Sequence, residues 1–507
     1  MHYFSIMKIF TSAQIKECDE QTIKVSGIRS IDLMERAANK CADWLKANFP
    51  KDTLFIILCG PGNNGGDGLA IARMLHLRSY GVKAFLLNTG SELSTDCAAN
   101  LQKLRQLNEQ LVTVVEPETF LSDLPPHVVI IDAILGTGLS RPASGWVAAF
   151  IERINKMPNR KLAIDIPSGL AADIVGDRDA VILKVQDTLS FQFYKRSFLH
   201  PETAPAAGNI HVLDIRLDKA FIETAHTNYR TLDQETVRSI YRPRDKFSHK
   251  GTHGSVLICG GAHGKTGAVV LASKAAMRSG AGLVTALVPE SGYQILQSSV
   301  PEVMCLTSGR EAVEAIQHWE KYTALGIGPG LGTSSESVRA LSEFLEDCVS
   351  PVVLDADALN IIGRHSELLA KLPKNSILTP HPKEFGRLFG ENTNSMIQVD
   401  NARIHAMRYN INIVLKGHHT AIINAEGECW YNMTGNAGMA TGGAGDVLTG
   451  MITGLLAQGY EPQAAAMLGV YLHGVAGDIA AQELSQEAMI AGDIIDHLGK
   501  AFISLAQ

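Results

Sequence analysis

The run Asn436–Gly454, NAGMATGGAGDVLTGMITG, sets Gly442, Gly443 and Gly445 directly before Asp446 and then turns apolar. Small residues let backbone N–H groups approach an anion, and a helix starting there adds the positive end of its dipole. Asp446 stands at that expected helix start. A carboxylate is no ligand for an anion. The chemistry open to it is to take a proton from a group that then meets a phosphate. The alternative is a glycine-rich turn with Asp446 as a helix cap. A second such stretch is Cys59–Leu69, CGPGNNGGDGL. It is neither a GxGxxG nor a P-loop, because no GK[ST] follows. Asn63 and Asn64 offer amide and carbonyl groups, and Asp67 adds charge. Such a turn can bind a hydroxylated or phosphorylated ligand, or a monovalent cation through oxygens, or it is a plain polar turn.

Both stretches need elements to place them. Thr53–Leu58, TLFIIL, reads as a buried parallel strand, with a helix over Ala70–Arg78 after the turn. Val82–Leu87, His127–Ile131 and Lys161–Ile164 read as further strands, with Thr188–Phe193 and Asn209–Asp214 as the last. The second of these ends in Asp132 and the turn Gly136–Ser140, the third in Asp165-Ile166-Pro167-Ser168-Gly169. Carboxyl ends of parallel strands share one sheet edge, so Asn64, Asp132, Asp165 and Ser168 are expected to converge. Ser12–Asn48 reads as helical, with an N-cap at Thr11 or Ser12 and Leu33, Ala37, Ala38 and Cys41 on its inner face.

A charged, polar stretch places a linker near residues 217–232 and divides the chain into domains 1–225 and 226–507. Strands then follow at Ser255–Cys259, Leu283–Val288, Ala324–Ile327, Val352–Leu354, Ser376–Leu378 and Asn412–Leu415, and a helix at Ala268–Ser279. Their ends carry GGAHGKTG, GPGLG, DADALN, TPHPKE and Lys416-Gly417. The fold class is α/β throughout, as two different domains.

At 507 residues, with 46% hydrophobic and 19% charged residues, each domain can bury a core. A net charge of −7 argues against a general binder of nucleic acid or membrane surfaces. Eight cysteines without a CxxC pair suit a reducing compartment and give no zinc signature. MHYFSIMKIF lacks the basic and apolar regions of a secretory leader. Asn436–Tyr460 reads as a buried or substrate-facing helix, not a membrane span. The cytoplasm is the expected location.

CGPGNNGGDG, DAILGTGLSRPASG and AIDIPSGL resemble the epimerase half of the NAD(P)H-hydrate repair enzymes, whose substrates NADHX and NADPHX carry water added at C6 of the nicotinamide ring. The resemblance implies a Rossmann-like domain with potassium near Asn64, Asp132 and Ser168. It implies that Asn63, Asn64, Gly65, Gly66 and Asp67, with Gly136, Thr137, Gly138, Leu139, Ser140, Arg141 and Pro142, cradle the hydrate. Asp165 becomes the acid/base that interconverts the R and S forms. GPGLG, DADALN, TPHPKEF, KGHHT and GMATGGAGDVLTG resemble the dehydratase half, a ribokinase-like fold. This implies that Lys416, Gly417, His418, His419, Thr420 and Gly445 contact an adenine nucleotide, and that Ala268, Gly330 or Gly332, His381 and Asp446 face the hydrate. Fusion of the halves resembles the bacterial form, which uses ADP and yields AMP and phosphate; separate eukaryotic chains use ATP. Magnesium would accompany the nucleotide, with Asp355 and Asp357 orienting it through water or else capping a helix. Related enzymes assemble, so a homo-oligomer is implied. Ala444 stands where Thr is frequent. His418 and His419 stand where smaller residues are common, either stacking on adenine or solvated. His263 and Lys265 either contact phosphate or are surface residues.

Overall fold

The computed structural model describes residues 7–117, 124–139, 141–177 and 179–506. The chain forms two compact units. One is Lys8–Thr227; the other begins at Asn228 and takes in Met7.

The first unit is built on seven parallel strands: β1 Leu54–Cys59, β2 Gly81–Leu87, β3 Val112–Val115, β4 Val129–Ala133, β5 Lys161–Ile164, β6 Asp187–Phe191 and β7 Asn209–Leu213. Their order is β3-β2-β1-β4-β5-β6-β7. The continuous apolar run of β1 follows from burial on both faces. Phe55, Ile57 and Cys59 enter the core beneath the helices Ser30–Asn48 and Asn63–Leu77, whereas Ile56 and Leu58 enter the opposite core with the helix Gly145–Lys156. That is the period-two alternation of a strand. The order reverses between β1 and β4, and a doubly wound sheet opens its ligand crevice at the carboxyl ends there.

The helical stretch after Thr11 is two helices, Ser12–Ser26 and Ser30–Asn48. Thr11 and Gln14 form a capping box at the start. Gly27, at φ 62°, ends the first helix and donates its N–H to the Ile23 carbonyl, so a left-handed cap breaks the apolar period. The stretch given to a linker is also structured. Lys219–Thr224 is a short helix, and β8, Tyr229–Leu232, is a strand of the second unit.

The second unit adds β9 Ser255–Cys259, β10 Leu283–Val288, β11 Met304–Thr307, β12 Ala324–Ile327, β13 Val352–Leu354, β14 Ile377–Leu378, β15 Asn412–Leu415, β16 Ala421–Ile423 and β17 Cys429–Asn432. Its sheet has ten strands in the order β11-β10-β9-β12-β13-β14-β15-β16-β17-β8. Neighbours are parallel except where β16 runs antiparallel to β15 and β17. The reversal lies between β9 and β12. Helix Ala444–Ala457 packs closely on helix Thr266–Arg278: a Cβ added at Gly450 would lie 2.0 Å from the Ala272 carbonyl oxygen. Helix Pro462–Leu484 is long and apolar enough to cross a membrane, but 67% of its most apolar window is buried within the protein, where it is a core helix.

Candidate active sites

In the first unit the helix after β1 starts at Asn63, not at Ala70 as the sequence suggests. The Asn-Asn-Gly-Gly-Asp run is therefore the helix's first turns. A Cβ on Gly65 would sit 1.8 Å from the Gly60 carbonyl oxygen, and one on Gly68 would lie 2.7 Å from the Ala133 side chain. Close packing of helix on strand accounts for those glycines, as well as any ligand.

Asn64, Asp132 and Ser168 do meet. The Asn64 amide donates to the Leu135 carbonyl at 2.9 Å, and the Leu135 N–H donates to Ser168 Oγ at 2.8 Å. Ser168 donates its hydroxyl (2.5 Å) and its N–H (2.7 Å) to the Asp132 carboxylate, which also accepts from the Ile134 N–H at 3.1 Å. Asp132 is fully buried, and burial pushes its pKa up to about 6 against those hydrogen bonds. Asn64 Oδ1 is buried with no donor among the described residues. An orphan amide oxygen beside a buried carboxylate suits a monovalent cation. Gly136 lies against Asn64, its added Cβ only 3.1 Å from the Asn64 Cβ. Thr137, Gly138 and Leu139 continue this turn, and Arg141 and Pro142 are exposed after it. Ser140 lies outside the described residues.

Asp165 follows β5 with a left-handed φ of 66°, a conformation that costs a non-glycine residue about 1–3 kcal/mol and marks functional sites. Its carboxylate accepts from the Phe191 N–H at 3.0 Å and from the ammonium of Lys195. Lys195 is fully buried and also donates to Ser190 Oγ at 2.8 Å. Two more carboxyls feel this pair. Asp19 is pushed up to about 7 by burial and then by Asp165, with Lys195 opposing. Asp67 is pushed well up by burial and then by Asp165 and Asp19. Lys195 and Asp19 escape a reading by motif: Lys195 follows the end of β6, which was read only as a strand, and Asp19 sits in an ordinary helix.

In the second unit, Gly443 is the N-cap of helix Ala444–Ala457, with φ 92° and room for no side chain; an added Cβ would lie 2.5 Å from Leu271. The first helical hydrogen bond runs from the Val447 N–H to the Gly443 carbonyl. No side chain caps this end, so the N–H groups of Gly445 and Asp446 have no acceptor among the described residues. Asp446 is mostly buried in this first turn. Burial, then Asp355, push its pKa up to about 7, with Lys416 opposing. A carboxylate tuned to neutral pH beside free N–H groups is a base next to an anion cradle.

Lys416, at the end of β15, donates to Asp355 Oδ1 at 2.8 Å, and Thr449 donates to Asp355 Oδ2 at 2.7 Å. Gly445 leaves space here, since its added Cβ would lie 3.2 Å from the Lys416 ammonium. Asp357 accepts from Lys265 at 3.0 Å and from the Gly332 N–H at 2.9 Å. Both aspartates thus already accept hydrogen bonds from the protein. Asp355 stands at the N-cap of the helix Ala356–Arg364, but its side chain makes no cap hydrogen bond. Gly330 abuts Ala268, with 3.3 Å between their Cβ positions. His381 caps the helix Pro382–Phe389, its Nδ1 accepting from the Lys383 and Glu384 N–H groups at 3.1 and 3.2 Å. That fixes the proton on Nε2. Burial and then Lys416 lower its pKa, keeping it neutral.

His419 donates toward the Asn432 carbonyl, and burial lowers its pKa to about 4. His418 is exposed against its edge. Gly417 and Thr420 close that turn on each other through the Thr420 hydroxyl. His263 pairs with Glu311 at 2.8 Å on the surface, while Lys265 reaches Asp357.

A family model described as NAD(P)H-hydrate dehydratase matches residues 256–500, and one described as YjeF-related protein N-terminus matches residues 30–197. The bifunctional NAD(P)H-hydrate repair enzyme Nnr of Moorella thermoacetica is 37% identical over 510 residues, spanning 97% of this chain and 96% of that protein. Its counterpart in Escherichia coli is 32% identical over 499 residues, spanning 97% and 93%. Among solved structures, the ADP/ATP-dependent NAD(P)H-hydrate dehydratase of Bacillus subtilis, co-crystallised with ATP and Mg²⁺, is 34% identical. It covers 54% of this chain and 98% of its own, with a TM-score of 0.49.

Proposed function

The chain belongs to the bifunctional NAD(P)H-hydrate repair enzymes, and on that footing we propose that its first unit interconverts R and S hydrates of NADH and NADPH while its second dehydrates the S form at the expense of ADP. The two sheets are the Rossmann-like and ribokinase-like halves of that family. The observation that carries the reading is Asp446, a base tuned near neutrality in the first turn of a helix whose N–H groups lack acceptors.

Hydroxide leaves the hydrate poorly, and a phosphate leaves well. Asp446 takes the proton of the C6 hydroxyl as that oxygen attacks the terminal phosphate of ADP. The N–H groups of Gly445 and Asp446 then meet the charge that develops. Lys416 supplies positive charge beside them. That transfer releases AMP, and departure of the phosphate from C6 together with a proton from C5 then restores the dihydronicotinamide. Ala268, Gly330, Gly332 and His381 border the hydrate, and Gly417, His418, His419 and Thr420 the nucleotide. Magnesium would come with the nucleotide phosphates and supply positive charge there, with Asp355 and Asp357 placed to orient it through water.

In the first unit Asp165 gives a proton to the C6 hydroxyl as it leaves as water and takes one back as water returns on the other face, and Lys195 holds its carboxyl in place. Asn63–Asp67 and Gly136–Pro142, Ser140 included, receive the hydrate's phosphates and ribose. Asn64, Asp132 and Ser168 would hold potassium, which supplies a counter-charge for Asp132 and an anchor for phosphate. The orphan Asn64 oxygen supports that assignment. The epimerase domain is assigned to residues 1–225 and the dehydratase domain to 226–507, and we place the protein in the cytoplasm as a homo-oligomer. All eight cysteines are free thiols, the form a reducing compartment maintains.

The test is a mixture of R and S NADPH hydrates given ADP and Mg²⁺, followed by the near-ultraviolet absorbance of the dihydronicotinamide. Full recovery is expected. A phosphorylated hydrate that accumulates without recovery would make the second unit a plain kinase. The pH profile is a second expectation. Asp446 acts as carboxylate, so kcat/KM for dehydration should rise with pH through about 7 and level off above. A profile flat from pH 5 to pH 9, about two units either side of that pKa, would remove Asp446 as the base.

A further inference from the structure

Beside the dehydratase site, helices Ala356–Arg364 and Pro382–Phe389 wall a hollow of about 430 Å³ that includes Thr333, Asp357, Asn360, Arg364 and Arg387. Gly363 sets its shape. A Cβ there would lie 3.1 Å from the Arg387 carbonyl oxygen, so glycine lets the helices close up and brings two arginines to one wall. Neither guanidinium has a carboxylate within ion-pair distance among the described residues. Arg387 donates to the Asn360 side-chain carbonyl at 2.6 Å, and Arg364 to the Thr333 hydroxyl at 3.4 Å. The one acid on the wall, Asp357, is already neutralised by Lys265 at 3.0 Å and the Gly332 N–H. The hollow therefore carries surplus positive charge. It adjoins the reacting centre: Asp357 on its wall accepts from the N–H of Gly332, a residue of the hydrate's border, and Arg387 is among the charges that lower the His381 pKa.

Two unpaired arginines in a polar recess match a phosphate, which guanidinium groups grip through paired N–H donors. We propose that Arg364 and Arg387 form a phosphate subsite for the dinucleotide moiety of the hydrate, with Asn360 and Thr333 holding the guanidinium groups in place. The inference rests on the function proposed above. Two parts of the substrate have this chemistry: the pyrophosphate common to both hydrates and the ribose 2′-phosphate found only in NADPHX.

The test measures dehydration of S-NADHX and S-NADPHX by the full-length protein and by an Arg364→Ala/Arg387→Ala variant. The expected result is a KM for the hydrate raised at least about tenfold, the scale of losing hydrogen bonds to a charged group. A rise for both hydrates assigns the pyrophosphate, and a rise for NADPHX alone assigns the 2′-phosphate. Arg364→Lys/Arg387→Lys retains the charges and should recover part of the loss, which a purely structural role would not give. Unchanged KM for both hydrates overturns the subsite. Calorimetric titration with NADPH keeps the two proposals separate. Wild-type protein without dehydration, but with NADPH binding that the alanine pair weakens, would sink the function and leave the subsite standing. If the alanine pair did not weaken that binding, the subsite would fall as well.

Discussion

Asp446→Asn should slow ADP-dependent recovery of NADPH by about two to four orders of magnitude, the usual worth of a positioned general base, while R and S hydrates continue to interconvert. Asparagine keeps the shape of the side chain and its place in the first turn, and loses only the ability to take a proton. The variant should also be no less stable. A carboxyl whose folded pKa is raised to about 7 from 3.8 favours the folded state below the lower value, and that contribution is lost as pH rises through the higher one. Asparagine has no such loss, so at pH 8, about a unit above that raised pKa, the variant should melt at or above the wild-type temperature. A variant that keeps activity within tenfold would exclude Asp446 as the base. One that melts well below wild type would show that the carboxylate is held by favourable partners after all.

Asp165→Asn should have an effect of similar size on the other activity. Only the S portion of a mixed hydrate should then recover quickly, the R portion waiting on spontaneous epimerisation. Lys195 complicates this test. It is fully buried, and removing its carboxylate partner leaves an uncompensated charge that costs about 3–5 kcal/mol. The double variant Asp165→Asn/Lys195→Met removes both charges together. It should regain most of the melting temperature lost by the single variant and none of the epimerase activity. Recovery of activity with stability would mean that Asp165 serves the fold and not the reaction.

The strand ends that bear Asp132, Asp165, Ser168, Asp355 and Lys416 were legible because strands buried on both faces leave uninterrupted apolar runs, and parallel topology collects their ends. The start of the helix at Asn63 was hidden. Two asparagines and two glycines are poor helix formers, and only the tight approach of Gly65 to Gly60 and of Gly68 to Ala133 makes them necessary there. β3 is four residues at a sheet edge, with one buried side chain, and gives almost no pattern. Lys195 stands thirty positions from Asp165, and Thr449 reaches Asp355 from 94 positions away. No local spacing announces such pairs; they exist only once the sheet has formed.

The strand Tyr229–Leu232 bears on how this protein can be taken apart. It is the outermost strand of the ten-stranded sheet, beside β17 with its buried Trp430 and Tyr431. A second unit expressed from residue 235 onward, a reasonable cut for anyone treating the preceding stretch as a tether, would bare the backbone donors and acceptors of β17 along with those aromatic rings. Such an edge recruits whatever strand it meets, most often a second copy of itself. A fragment begun at Asn228 carries its own cover and should stay in solution; the shorter one should come down as aggregate.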